Sequence, residues 1–325
     1  MTAKISTYTS GLAPHLRAFV AERQACGLKY QTAQVYLRDF DRWLCEHPCL
    51  PDALSRATVE GWTAKRPNEQ PVTQYGRVSL MRQFAQYLTR QDLPAYNPPP
   101  QQRHGNLPVF VPRIFTPTEI QQIFEVVDHW PHCTRRLVQA LVLPEIYRVL
   151  YGCGLRVGEA LSLRVGDVDL AHGVLTIRKA KFNKERVIPV APALQTRLQR
   201  YADARGQRPL DETFFANEWG EPLTHAVIYK TFREILWRLH IPFEGGGHGP
   251  RVHDLRHTFA VHRLIHWYHE QADLNAMLPL LSTYLGHAGM AGTQRYLTMV
   301  QDLLPAITER LEHLVGHVIP GGDAV

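Results

Sequence analysis

At 325 residues the chain has room for two domains of ordinary size. With 45% hydrophobic and 20% charged residues it reads as globular, which excludes a disordered chain, and no run reaches the roughly 20 apolar residues of a membrane span. The net charge of +6 is unevenly spread: residues 1–114 carry 14 Lys+Arg against 8 Asp+Glu, whereas residues 115–325 carry 22 of each. The first third is therefore the part suited to gripping a polyanion.

The opening stretch, MTAKISTYTSGLAPHLRAF, has no apolar core before a small-residue cleavage site, so export is not expected. Its first helix follows at once, since GLAPHLRAFVAERQACG places Leu12, Leu16, Phe19 and Val20 at three- and four-residue spacings, with Gly27 as a C-cap. AQVYLRDFDRWLCEH sets Val35, Phe40, Trp43 and Leu44 near one face, with Arg38 and Arg42 one turn apart on another. A short helix is expected around Ala57–Arg66. A longer one runs from about Thr73 to Gln91, with Val78, Met81, Phe84, Ala85 and Leu88 as its apolar stripe.

Six prolines then fall between Pro94 and Pro112 without apolar periodicity, the pattern of an extended linker. The expected division is a helical domain over 1–95, a linker over 96–114 and a second domain over 115–325. TPTEIQQIFEVVD opens the second domain, with Thr116 as N-cap, Pro117 at N1 and Glu119 at N3. Residues 135–152 form an apolar helix. GVLTIRKA (173–180) and ERVIPV (185–190) alternate and are β-branched, with FNK between them as a turn, which predicts a β-hairpin. Helices are expected at about 191–204, 224–239, 254–270, 274–285 and 290–299, with a last one near 303–315. The fold class is mainly α with a small β-sheet.

The chemistry is carried by six side chains in four local contexts. These are Arg156 in GLRVGEAL, Lys181 in RKAKFNKERVIPV, His253 and Arg256 in HDLRHTFA, and His287 and Tyr296 in YLGHAGMAGTQRYL. Two guanidinium groups can hold a phosphate bidentately, a lysine and two histidines can donate or move protons, and a tyrosine can attack. Neutral phenol is a poor nucleophile, since its reference pKa is about 10, and cationic neighbours favour its ionised form. Each residue also has a plainer reading. Arg156 can cap a helix start with Glu159 as its partner, Lys181 competes with Lys179 and Lys184, His257 is structural one turn from His253, and a lone Tyr296 is a core aromatic.

Metal chemistry is not expected. His253/His257 and His262/His266 have i,i+4 spacing, but no HExxH glutamate accompanies them and His269 adds no third ligand of evident geometry. Cys45 and Cys49, with His47 between them, lack a second pair. The five cysteines (Cys26, Cys45, Cys49, Cys133 and Cys153) read as reduced, mostly buried thiols.

Taken together and in this order, GLRVGEALSLRVGDVDL, KFNKERVIPV, HDLRHTFA and LGHAGMAGTQRYL resemble the tyrosine recombinase (lambda-integrase) family. His253 stands three before Arg256 and Tyr296 nine after His287. The resemblance implies Arg156, Lys181, His253, Arg256 and His287 around a nucleophilic Tyr296, with Lys181 as general acid and a 3′-phosphotyrosine intermediate that needs neither cofactor nor metal. KFNKER matches a Gly-Lys-Gly-x-Lys-x-Arg pattern through Lys181, although Ala180 and Phe182 replace its glycines, and the interval from Arg256 to His287 is several residues longer than in the family. The implied partner is double-stranded DNA carrying a specific site, gripped in part by Arg38, Arg42, Arg77 and Arg82 and clamped by the two domains. A homotetramer on two sites, accessory or partner recombinases, and a cytoplasmic, nucleoid-associated bacterial protein complete the expectation. The stripe Leu303, Leu304, Ile307, Leu311 and Leu314 suits a C-terminal segment docking on a neighbouring protomer or packing in cis. A type IB topoisomerase, a DNA-binding accessory protein and a metal-dependent nuclease are the alternative functions.

Overall fold

The computed structural model describes residues 8–28, 30–47, 50–100, 111–130, 137–178, 185–243, 249–287 and 289–299. The chain divides into two units, Met1–Phe110 and Val111–Val325. Among the described residues no helix is long and apolar enough to cross a membrane.

Among its described residues the first unit has four helices: α1 (Ala13–Ala25), α2 (Gln31–Glu46), α3 (Arg56–Thr63) and α4 (Pro71–Thr89). Proline occupies the first turn of α1 and α4, where its missing N–H costs no hydrogen bond, and the Ser55 side chain accepts from the Thr58 N–H to start α3. Leu12, Leu16, Phe19, Leu37, Phe40, Leu44, Trp62, Phe84 and Leu88 form the core. Val35 is 55% exposed and Leu37 takes the inward place expected of it. The cause is helical phase: Val35 lies five residues before Phe40, about 140° round the helix.

Two of the four arginines expected on DNA are committed elsewhere. Arg77 falls at the helical spacing of Met81, Phe84 and Leu88, so it enters the core with that stripe. Its guanidinium donates to both Glu69 carboxylate oxygens and to the carbonyls of Trp62 and Ala64. Arg82 is half-buried and donates to the Pro98 carbonyl. Arg38 and Arg42 stand exposed on α2. The first residues of the expected linker are tied down as well, because Leu54 donates to the Pro94 carbonyl at 2.9 Å and accepts from the Tyr96 N–H at 2.8 Å.

The second unit starts with α5 (Pro117–Asp128), opened by a Thr116/Glu119 capping box, then α6 (Leu137–Gly152) and the short α7 (Val157–Ser162). A three-stranded antiparallel sheet follows: β1 (Val168–Asp169), β2 (Val174–Ile177) and β3 (Arg186–Pro189), in the order β1-β2-β3. Leu175 pairs with Ile188 and Ile177 with Arg186, and Leu175, Ile177 and Ile188 are buried on the inner face. β1 was not expected; two residues are too few for an alternating pattern to show. The expected FNK turn lies outside the described residues, as do residues 303–315.

The chain continues through α8 (Pro192–Arg205), α9 (His225–Arg238), α10 (Asp254–His269), α11 (Leu274–Leu285) and α12 (Ala291–Gln294). The expected helix over 290–299 is instead α12 and a separate 3₁₀ turn at Leu297–Met299, broken where Tyr296 turns inward. Phe259, Leu264, Leu278, Leu281, Leu285 and Tyr296 share one cluster, which brings α10, α11 and the tyrosine together. Of the cysteines, Cys153 is buried, but Cys26 and Cys45 are exposed, against the expectation of mostly buried thiols.

Candidate active site

Three guanidinium groups are organised by the end of α11. The last carbonyls of a helix have no partner within it and form its negative pole. Here three consecutive ones each accept from a different arginine: Tyr284 from Arg186 at 2.8 Å, Leu285 from Arg256 at 2.7 Å and Gly286 from Arg156 at 3.2 Å. Gly286 ends the helix in the left-handed conformation, φ 67°, and a Cβ there would lie 2.8 Å from the Arg186 guanidinium. On the opposite side Arg256 donates to the Gly154 carbonyl at 2.7 Å. Gly154 has φ 57°, and a Cβ would meet Phe259 at 2.6 Å, so neither residue admits a side chain.

One buried carboxylate braces this group. Glu159 accepts from Arg156 Nη1 at 2.8 Å and from the two Arg186 Nη atoms at 3.1 and 2.9 Å, and its Oε2 also accepts the Arg156 N–H at the start of α7. Burial pushes the Glu159 carboxyl up, but the hydrogen bonds from Arg186 and Arg156 outweigh it and hold the group at about 2. Burial, reinforced by Arg156, brings the Arg256 guanidinium down to about 10, which leaves it charged at neutral pH.

The first turn of α10 puts His253, Arg256 and His257 within one patch. The His253 and His257 rings meet edge to face, 4.7 Å apart. The His287 ring stacks 6.0 Å from the Tyr296 ring, and its Nδ1 is 2.7 Å from Thr293 Oγ1. Tyr296 is buried, and its hydroxyl lies 3.1 Å from His257 Nδ1. Burial pushes the phenol above its ordinary value, against the pull of the charge and hydrogen bonding of Arg256 and the charge of Arg156. Burial also brings the imidazolium of His253 and His287 down to about 4 and that of His257 to about 3, with cationic neighbours including Arg256 adding to it. All three rings are therefore neutral at pH 7, with one nitrogen of each able to accept.

Five of the six residues singled out in the sequence thus come together: Arg156, His253, Arg256, His287 and Tyr296. Lys181 lies outside the described residues. Arg156 does pair with Glu159, as its plainer reading required, while its other Nη atom reaches the α11 end. Sequence reasoning missed Arg186, although it closes the Lys-x-Arg end of the hairpin pattern, and it set His257 aside as structural. Among the described residues no group of three His, Cys, Asp or Glu side chains is arranged to hold a metal ion. His262 sits against Tyr151 and His266 pairs with Glu270 instead of sharing a ligand position.

Residues 113–301 match the Phage integrase family, and the chain belongs to that family, the tyrosine recombinases. Its relatives include the y4rB protein of Sinorhizobium fredii, 32% identical over 91% of this chain and 96% of that one. Another is the tyrosine recombinase XerD of Pseudomonas putida, 30% identical over 83% and 87%. Among solved structures, XerH recombinase bound to difH substrate in a pre-cleavage complex superposes with a TM-score of 0.62 at 19% identity, covering 93% of this chain and 85% of that one. The Tn1549 transposon integrase with transposon right-end DNA gives 0.61 at 18% identity, over 91% and 99%. Members of this family cleave and rejoin DNA at specific sites, which makes DNA the substrate class of this chain.

Proposed function

We propose that this chain recombines DNA with Tyr296 as nucleophile, and that it does so as a tetramer on two copies of its site. The convergence of Arg156, Arg256, His253 and His287 on Tyr296 carries the reading. Arg156 and Arg256 bind the non-bridging oxygens of the scissile phosphate, where negative charge grows as the phosphorus becomes five-coordinate. His253 and His287, neutral in the DNA-free protein, donate to the same oxygens. Tyr296 Oη forms the bond to phosphorus as the bond to the 5′ oxygen breaks, and Lys181 protonates that oxygen. Rejoining is the reverse, with a 5′ hydroxyl displacing the tyrosine, so each phosphodiester is exchanged and none is lost. Arg38 and Arg42 contribute phosphate contacts from α2, which makes binding sensitive to salt.

The test is a nicked suicide substrate carrying the terminal sequence of the protein's own element. The wild-type chain is expected to accumulate a covalent protein–DNA adduct resistant to denaturant, and Tyr296→Phe is expected to bind the same DNA without forming one. Adducts from the Phe variant would overturn the assignment. Joining of two marked duplexes, as opposed to relaxation of supercoils alone, separates a recombinase from a topoisomerase.

A further inference from the structure

Resting on Tyr296 as the nucleophile, we propose that His257 is a catalytic residue that holds the tyrosine hydroxyl in position and takes its proton as the bond to phosphorus forms. The contact is direct: Nδ1 lies 3.1 Å from Oη, with the two rings 5.6 Å apart and tilted at 56°. The neighbouring groups are placed differently, and the His253 ring meets His257 edge to face, 4.7 Å away. Arg256 acts on the same hydroxyl but only donates. The Nδ1 of His287 faces Thr293 Oγ1 at 2.7 Å, and its ring stacks against the tyrosine ring instead of meeting the hydroxyl. Helical geometry explains the division of labour on α10: Arg256 points into the carbonyls of Gly154 and Leu285, while the next residue, about 100° round the helix, faces the nucleophile.

The electrostatics of the pocket make such an acceptor necessary. A buried phenol raised above its ordinary value does not ionise unaided at neutral pH. A ring held neutral at Nδ1 can accept, in the tautomer that carries its proton on Nε2. In cleavage the Oη–P bond forms and the P–O5′ bond breaks. The phenolic proton passes to His257 Nδ1, and Lys181 supplies a proton to the 5′ oxygen. In rejoining the 5′ hydroxyl attacks, its proton returns to Lys181, and Tyr296 recovers its own from His257.

The experiment is single-turnover cleavage of the nicked substrate at saturating protein, beside DNA affinity and thermal unfolding of each variant. His257→Leu is expected to cleave roughly 100-fold more slowly, the lower end of general acid–base effects, with DNA affinity unchanged. His257→Asn, whose amide oxygen can hold the hydroxyl but cannot take its proton, is expected to fall between the two. A substrate with sulfur in place of the scissile 5′ oxygen needs no proton on its leaving group. It is expected to restore cleavage to Lys181→Ala but not to His257→Leu, which a merely structural defect at either position would not do.

Wild-type cleavage by His257→Leu, or its rescue by the sulfur substrate, overturns the proposal and leaves the Tyr296 reading intact. Adducts from Tyr296→Phe overturn the reading beneath it. Where the Leu variant does not fold, the Asn variant decides, and full-rate cleavage by it is the overturning result.

Discussion

Arg77 in the helical unit and Arg256 in the catalytic unit are each 1% exposed, yet the two regions use the same buried side chain in opposite ways. Arg77 meets both oxygens of Glu69, and its remaining bonds go to the Trp62 and Ala64 carbonyls, so its charge is cancelled locally. Arg256 is aimed by two carbonyls, with the nearest Glu159 oxygen 3.9 Å away. Its surroundings fix its direction without matching its charge, which is what an anion-binding site needs before the anion arrives. Burial of an arginine therefore does not mark function; the completeness of its pairing separates a strut from a site.

The sharpest way to break this contrast is to remove each arginine in turn. Arg256→Ala is expected to slow single-turnover cleavage by roughly 10³ or more, since losing even one preorganised donor typically costs 10²–10³. Arg77→Met is expected to leave the cleavage rate of the folded protein unchanged while lowering stability by about 3 kcal/mol, because Glu69 keeps only the Arg66 N–H and the Trp62 and Ala64 carbonyls lose their donor. Denaturant unfolding checks it, and Arg77→Met with Glu69→Gln should recover much of the loss. A catalytic defect in folded Arg77→Met would show that the two arginines are not so different.

A single pH unit is the mildest perturbation. His253, His257 and His287 titrate near 4, 3 and 4 in the folded protein, below their ordinary value. Their neutral folded forms contribute stability that is fully present above about 6.5 and is lost as pH falls toward 4, because the unfolded chain binds the protons first. The catalytic unit is thus expected to loosen between pH 7 and 6, read by hydrogen exchange, while the Arg77–Glu69 pair stays intact. Bound DNA should oppose the change, since a phosphate beside the rings favours their charged forms.

How much of this was legible in the sequence follows the range of the interactions. Helical periodicity located α1, α2 and α4, and the Thr116–Pro117–Glu119 pattern marked the start of α5, because caps and stripes are local. His253 and Arg256 share one helical turn, and their three-residue spacing was part of the family resemblance that implied a common site. Arg186 was invisible as a functional group because its partners, Glu159 and Tyr284, are 27 and 98 residues away. The contact of His257 with Tyr296 was hidden for the same reason, since the tyrosine reaches it from 39 residues downstream. Arg77 misled in the other direction: a count of positive charge does not say which face of α4 an arginine occupies.

The row of carbonyls ending α11 has a consequence for how this chain tolerates changes of length. Tyr284, Leu285 and Gly286 hold three arginines from three distant segments in fixed order. Deleting one residue within α11 would turn that row by about 100° and misplace all three together. The stretch before it behaves differently. α10 runs on to His269, and the largely exposed turn over 270–273 precedes α11, so a change of length there leaves the row of carbonyls in place. Natural or engineered insertions should accumulate at 270–273 and be absent from 281–287.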